Sequence, residues 1–81
     1  MMYLSVYKAK KEPDRDFDII YTINEKDGVF YIESHIEGSY ISQIATLGSC
    51  GEEKAENFAH LLAEKAVRPV HIEDIISDMR F

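Results

Sequence analysis

This sequence is short of the residues that build disulfides, membrane spans and secretory leaders. Its 81 residues include a single cysteine, Cys50, which excludes an internal disulfide and a metal site built on cysteine pairs. No apolar run approaches the roughly 20 residues of a transmembrane helix. The first residues lack the charged and apolar regions of a secretory signal. We therefore expect one small soluble domain over residues 1–81, located in the cytoplasm.

Basic residues are also scarce. Nine Lys and Arg stand against fifteen Asp and Glu, which gives a formal net charge of -6. Because binding to nucleic-acid backbones depends on basic side chains that neutralise phosphates, we expect no general binding to nucleic acid. Hydrophobic residues make up 46% of the chain, which places it among globular proteins rather than disordered tails.

Alternating apolar residues predict an antiparallel sheet of three to four strands. Asp27-Gly28 favours a tight hairpin turn, and a two-residue loop there pairs Ile23 with Ile32. A four-residue loop would preserve the same facing. The last strand is apolar on both sides, which is typical of a strand that is central or lies under a partner. The predicted strands cover about 2–8, 17–25, 29–36 and 40–47.

Two helices follow the strands in the sequence. Apolar residues recur at helical spacing over about 50–66, and this helix is expected to cover one face of the sheet. Ser49 and Glu52 have the spacing of a capping box. Residues 67–70 are predicted to be extended around Pro69, and a short C-terminal helix is predicted over about 72–79. The fold class is therefore α+β.

Catalytic and metal chemistry has little support in the sequence. Cys50 lies at the start of a helix, where a thiol can be activated, but no histidine stands at a spacing tied to a cysteine enzyme. The turn around Cys50 lacks the lysine and the spacing of a phosphate-binding loop. None of the established zinc spacings occurs among His35, His60 and His71. We expect no enzyme activity, no catalytic residue, no cofactor and no metal site.

The sheet face away from the first helix is the candidate interaction surface. Residues 2–8 alternate, which places Tyr3 and Tyr7 on one side of their strand. Tyrosine is enriched at interfaces because it joins an apolar ring to a polar tip. The alternative is a solvated sheet face. The predicted interface residues are Tyr3, Tyr7, Ile20, Val29, Tyr31 and Tyr40.

The tail from Arg68 to Asp78 resembles the closing motif of a family of small uncharacterised bacterial proteins, found chiefly in Gram-positive anaerobes. In that domain of unknown function, a Pro-x-His-Leu-x-Asp-Ile-x-x-Asp-like ending follows a hairpin and an amphipathic helix. The resemblance supports the order of elements and implies no activity. The matching positions are Pro69, His71, Ile72, Asp74, Ile75 and Asp78.

Three functional hypotheses follow. The first is a small protein-interaction module that binds another protein or itself, with a homodimer through the tyrosine-bearing face as one form. The second is an acidic regulatory or inhibitory protein that binds a basic partner surface. The third is a small thiol enzyme that uses Cys50. His71, Asp74 and Asp78 form a candidate polar docking site, and no membrane or small-molecule partner is expected.

Overall fold

The computed structural model describes residues 2–79, with side chains described from Ser5 onward. Within these residues it contains one four-stranded sheet and two α-helices, which confirms the α+β class. The strands lie in the sheet in chain order, and each is antiparallel to the next. The elements are β1 Met2–Lys8, β2 Ile19–Lys26, β3 Val29–Ile36, β4 Ser42–Gly48, α1 Glu52–Lys65, a 3₁₀ turn Pro69–His71 and α2 Ile72–Met79.

Strands β2 and β3 form the hairpin that the sequence predicts. Asp27 and Gly28 make its turn with φ of 53° and 82°, which lie in the left-handed region that a type I′ turn requires. Ile23 pairs with Ile32, the register of a two-residue loop. The apolar residues of both strands therefore share one face of the sheet.

Strand β1 contains a bulge that reverses the facing of its second half. The pairing with β2 shifts between Tyr3 and Ser5, so the chain carries one extra residue at that point. The prediction that Tyr7 lies on the face away from the helix is wrong, because the extra residue changes the alternation. Tyr7 points toward α1, whereas Val6 points away from it and is 65% exposed.

Helix α1 packs across one face of the sheet, mainly against β2 and also against β1 and β3. Tyr21 and Ile32 are fully buried beneath it. Burial of Phe58 and Leu62 from the helix is worth roughly 1.5–3 kcal/mol for each side chain. The apolar helix face predicted from the sequence is confirmed for Ala55, Phe58, Ala59 and Leu62.

The first turn of α1 differs from the sequence prediction, and the capping box is absent. The N-cap residue is Gly51 with φ of 92°, and no side chain caps the helix. Ser49 lies two residues before the N-cap, so it cannot exchange capping bonds with Glu52. Glu52 and Glu53 do lie in the first turn, where the helix dipole favours negative charge.

The last turn of α1 closes with a Schellman motif. The N–H of Val67 donates to the carbonyl oxygen of Leu62 at 3.1 Å, and the N–H of Ala66 donates to that of Ala63 at 3.2 Å. Ala66 adopts the left-handed conformation with φ of 50°, a position that usually holds glycine. The motif turns the chain back toward the sheet.

The segment after α1 is only partly extended. Arg68 is extended, as expected for a residue before proline, but Pro69 begins a 3₁₀ turn instead of continuing the extended chain. Proline suits the first position of a helical turn because its missing N–H has no partner to lose there. Helix α2 then packs against β4 and buries Ile72. No helix within residues 2–79 has the length and apolar character needed to cross a membrane.

Candidate functional site

The face of the sheet opposite α1 is not covered by the helices that the structure describes. Strand alternation directs every second side chain of the four strands toward this surface, which we term the open face. Val6 on β1 and Ile44 on β4 expose 65% and 52% of their surface there. The open face comprises Val6, Lys8, Ile20, Thr22, Asn24, Lys26, Val29, Tyr31, Glu33, His35, Ser42, Ile44 and Thr46.

One row of side chains crosses the whole open face. Val6 pairs with Thr22, Thr22 with Glu33, and Glu33 with Ile44. Apolar groups thus lie at both edges of the row, with polar groups between them. A shallow depression beside Ile44 is lined in part by Tyr31, so the surface is uneven at this edge.

Asn24 is a buried polar residue on this face, as is Thr22 two residues before it. Only 1% of its surface is exposed, and its Oδ1 atom has no hydrogen-bond partner among the described residues. A buried acceptor without a partner costs about 1–3 kcal/mol. Its register neighbour on β3 is Tyr31. Within the part of the chain that the structure describes, the open face therefore carries a buried hydrogen-bond acceptor without a partner.

The structure places three of the six predicted interface residues on the open face. These are Ile20, Val29 and Tyr31, and each is partly buried by its neighbours. Tyr3 pairs with Asn24 in the sheet, but its side chain lies outside the described residues. Tyr40 lies in the loop before β4 and is fully exposed, because the strand begins at Ser42 rather than at residue 40.

Sequence reasoning missed the two most exposed apolar residues of the open face. Strict alternation of residues 2–8 puts Val6 and Tyr3 on different sides of their strand. The bulge in β1, which changes this facing, leaves no sign in that alternation. Ile44 belongs to the last predicted strand, where apolar residues on both sides leave its facing unassigned. The sequence did contain a sign of its exposure, namely the apolar character of both sides of the last strand. In the structure, Leu47 is buried on one face of that strand and Ile44 is exposed on the other. Because β4 is an edge strand, a central position cannot explain that character.

Tyr7 joins β1 to α1 instead of forming part of the open face. Its hydroxyl donates to Oε1 of Glu56 at 3.1 Å, and its ring centroid lies 5.8 Å from that of His60. Burial raises the pKa of Tyr7, and the hydrogen bond and negative charge of Glu56 raise it further. Tyr7 is therefore a neutral donor that fixes the strand to the helix at physiological pH.

Cys50 lies at the rim of a shallow depression before α1. Its thiol contacts the carbonyl oxygen of Gly51 at 3.5 Å, and the depression is also lined by Glu52 and Glu53. Both carboxylates place negative charge beside this depression. Among the described residues, no group of three or more His, Cys, Asp or Glu side chains is arranged to hold a metal ion.

The candidate polar docking residues of the tail are all exposed. His71 ends the 3₁₀ turn, and Asp74 and Asp78 lie one turn apart on α2. Their spacing puts them on one side of the helix. The two helices together expose many of the carboxylates that the acidic-surface hypothesis requires, including Glu53 and Glu64 on α1.

The fold and this surface define a small α+β domain whose antiparallel sheet is covered on one face and open on the other. The chain belongs to a family of unknown function (DUF6514), whose model matches residues 2–80. This match bears out the resemblance to a domain of unknown function, while a bacterial source and the tail motif remain predictions. No curated protein and no solved structure matches the chain.

Proposed function

We propose that this protein is a small interaction module that binds a second copy of itself through the open face. The observation that carries the proposal is the exposure of Val6 and Ile44 on opposite edges of an uncovered sheet face. Single exposed apolar residues are normal, but these two share one face with partly buried Ile20, Val29 and Tyr31, and Thr22 and Glu33 lie between them.

The size of the open face limits the strength of this contact. Four strands spaced by about 4.8 Å, with residues rising by about 3.3 Å, give a face of roughly 19 by 25 Å. Its projected area of roughly 500 Å² is below the roughly 800 Å² per partner of a standard stable interface. We therefore expect a dissociation constant in the micromolar range rather than the nanomolar range.

Polar groups of the open face suit a symmetric contact between two copies. Glu33 and His35 point the same way from β3, two residues apart. A two-fold axis that passes between them would bring Glu33 of one copy close to His35 of the other. This arrangement of charges favours a second copy as the occupant of the face.

Sedimentation velocity over a concentration series, from about 5 to about 500 μM, tests this proposal in the micromolar range that it predicts. We expect the natural protein to shift from monomer toward dimer across the series. Val6→Lys and Ile44→Lys should each weaken the dimer at least about tenfold, because each lysine would have to lose its hydration in the contact. Val70→Lys is the matched control, since Val70 is 70% exposed but lies in the 3₁₀ turn away from the open face.

Circular dichroism establishes that each variant remains folded, as expected for substitutions at exposed sites. The proposal is wrong if the natural protein stays monomeric throughout the series. It is equally wrong if Val70→Lys weakens the dimer as much as Val6→Lys does, because the contact would then lie elsewhere on the molecule.

A further inference from the structure

The outer edge of β4 has no neighbouring strand among the described residues, because β4 ends the sheet. The two-residue turn of the β2–β3 hairpin makes Val29 and Lys26 a hydrogen-bonded pair. From Val29 onward, every second residue of β3 therefore bonds to β2 through its backbone, and the residues between them bond to β4. The N–H of Ile36 follows this pattern, since it donates to the carbonyl oxygen of Ile41 at 3.0 Å.

This alternation determines which backbone groups of β4 point away from the sheet. Ile32 bonds to its register partner Ala45, and Ser34 bonds to Gln43. The residues of β4 that alternate with these direct their N–H and C=O groups outward, and their side chains are exposed. They are Ser42, Ile44 and Thr46. The edge thus offers a row of donors and acceptors to which an added strand can bond.

Strand β4 lacks the features that commonly protect a sheet edge. Charged residues, proline and bulges block the pairing of an exposed edge with another strand. Strand β4 contains no charged residue and no proline, and its register with β3 is regular from Ser42 to Thr46. At the other edge of the sheet, β1 carries Lys8 and a bulge in its interior. The β4 edge is therefore the one that is open to pairing.

A depression lies beside this edge, between β4 and α2. The residues that line it are Ala45, Thr46, Glu73, Ile76 and Ser77. Ala45 and Thr46 also line the depression beside Ile44 on the open face. The strand is therefore accessible from both faces of the sheet, which leaves room for the side chains of an added strand on each face.

The charge around the depression favours a basic segment over a second copy. Helix α2 packs against β4 and the 3₁₀ turn. None of these three elements contains Lys or Arg, whereas α2 carries Glu73, Asp74 and Asp78. If two β4 edges paired, a two-fold axis perpendicular to the sheet would bring both acidic α2 helices to the junction on the same face, where they would repel each other. A segment with Lys or Arg on that face has the complementary charge.

The two faces of the edge select different side chains from the added strand. The face toward α2 carries the negative charge of Glu73, whereas the open face presents Ile44, with Lys26 beside it. Because the side chains of a strand alternate between faces, one segment can suit both. We propose that the outer edge of β4 binds an extended segment of a partner protein as a fifth strand, with basic residues toward α2 and apolar residues toward Ile44.

An NMR titration of the isotope-labelled full chain with a capped Lys-Val-Lys-Val-Lys-Val peptide tests this inference. The expected result is saturable shifts centred on β4, with slowed hydrogen exchange of the amides of Ser42, Ile44 and Thr46. The valines lie directly opposite these residues, so N-methylation of the valines removes the donors that face β4 and should weaken binding at least about tenfold. N-methylation of the lysines instead places the methyl groups on the far side of the peptide and should change the affinity by less than about twofold.

Substitutions in the protein test the charge preference. Glu73→Gln should weaken binding of the peptide about threefold, because it removes a charge that faces the lysines. Glu64→Gln is the matched control, since Glu64 is exposed and lines a depression beside Tyr7 at the β1 edge. The Val6→Lys variant has an unchanged β4 edge and should bind the peptide as tightly as the natural protein, so a failure of the open-face contact is distinguishable from a failure of this proposal.

Equal binding of the two N-methylated peptides would overturn the proposal, because attraction to the acidic chain would then account for the binding. Equal affinities of Glu73→Gln and Glu64→Gln would overturn it too, as would the absence of shifts in β4. Protection of the β4 amides that grows with protein concentration in the Val6→Lys variant, without peptide, would also overturn it and would indicate a second copy at this edge instead.

Discussion

Ala66 shows how one residue can hold a conformation that its side chain disfavours. It closes α1 with φ of 50°, where a residue with a Cβ atom is strained. Ala66→Gly should therefore raise the free energy of unfolding by about 0.5–1 kcal/mol. This is the net gain, because the larger conformational entropy of glycine in the unfolded chain cancels part of the relieved strain. Urea unfolding followed by circular dichroism measures this change.

Ala59→Gly is the control for the Ala66 variant, since Ala59 lies in the interior of the same helix. That substitution should destabilise the protein, because glycine disfavours the helix interior and the buried methyl group is lost. If Ala66→Gly also destabilised the protein, the left-handed end of α1 would not be the source of strain that the geometry indicates.

Tyr21 links stability to pH through a single buried hydroxyl group. Its hydroxyl donates to the carbonyl oxygen of Val67 at 2.5 Å, and burial raises its pKa to about 12 despite the opposing charge of Arg15. Both states of the protein hold this proton below pH 10, so the residue adds no pH dependence there. Above the ordinary pKa of 10.0 the unfolded state loses the proton first, and stability falls as the pH rises toward 12.

Tyr21→Phe should remove this alkaline loss while costing about 1 kcal/mol at neutral pH through the missing hydrogen bond. The natural protein should lose about 1 kcal/mol more than the variant between pH 8 and pH 11, so the two stabilities should converge. Urea unfolding at a series of pH values measures the difference, in which the titration of lysines cancels. Tyr40→Phe is the control, because Tyr40 is fully exposed and its substitution should leave the curve unchanged.

At the scale of elements, α1 determines whether the sheet is stable. Phe58 is buried between this helix and the sheet, and Phe58→Ala should cost about 3–5 kcal/mol through lost burial and a cavity. That is most of the stability available to a domain of this size, so the variant should be largely unfolded at about 37 °C. A thermal melt followed by circular dichroism tests this, with exposed Asn57→Ala as the control. An unchanged melting curve for Phe58→Ala would contradict this packing of α1.

The elements also show which structural features could be predicted from the sequence. The β2–β3 hairpin could be predicted because Asp27-Gly28 limits the turn and one register buries both apolar sets. The β1 bulge could not, because its extra residue is determined by pairing with β2 rather than by local composition. The N-cap of α1 was predicted wrongly for a similar reason. Ser49 is a favourable cap, but the chain begins its helix after the positive φ of Gly51.

The candidate site was predictable only in part for the same physical reason. Ile20, Val29 and Tyr31 lie on β2 and β3, whose register the hairpin turn fixes, and the structure places them on the predicted face. Val6 and Ile44 lie on the edge strands, where a bulge or a two-sided apolar pattern leaves the facing ambiguous. The two most exposed residues of the open face were therefore the ones that alternation alone could not assign.

On the scale of the whole molecule, α1 packs on one face of the sheet, and the open face carries the proposed contact between two copies. The dimer is the central claim, since it assigns a role to the uncovered half of the sheet.

Isotope-filtered NMR on an equimolar mixture of labelled and unlabelled chains tests that claim most directly. At about 1 mM, well above the expected micromolar dissociation constant, we predict intermolecular contacts from the methyl groups of Val6 and Ile44 to side chains of the open face. Intermolecular contacts that involve only Val70 or the helices would contradict the account, and so would their complete absence at this concentration.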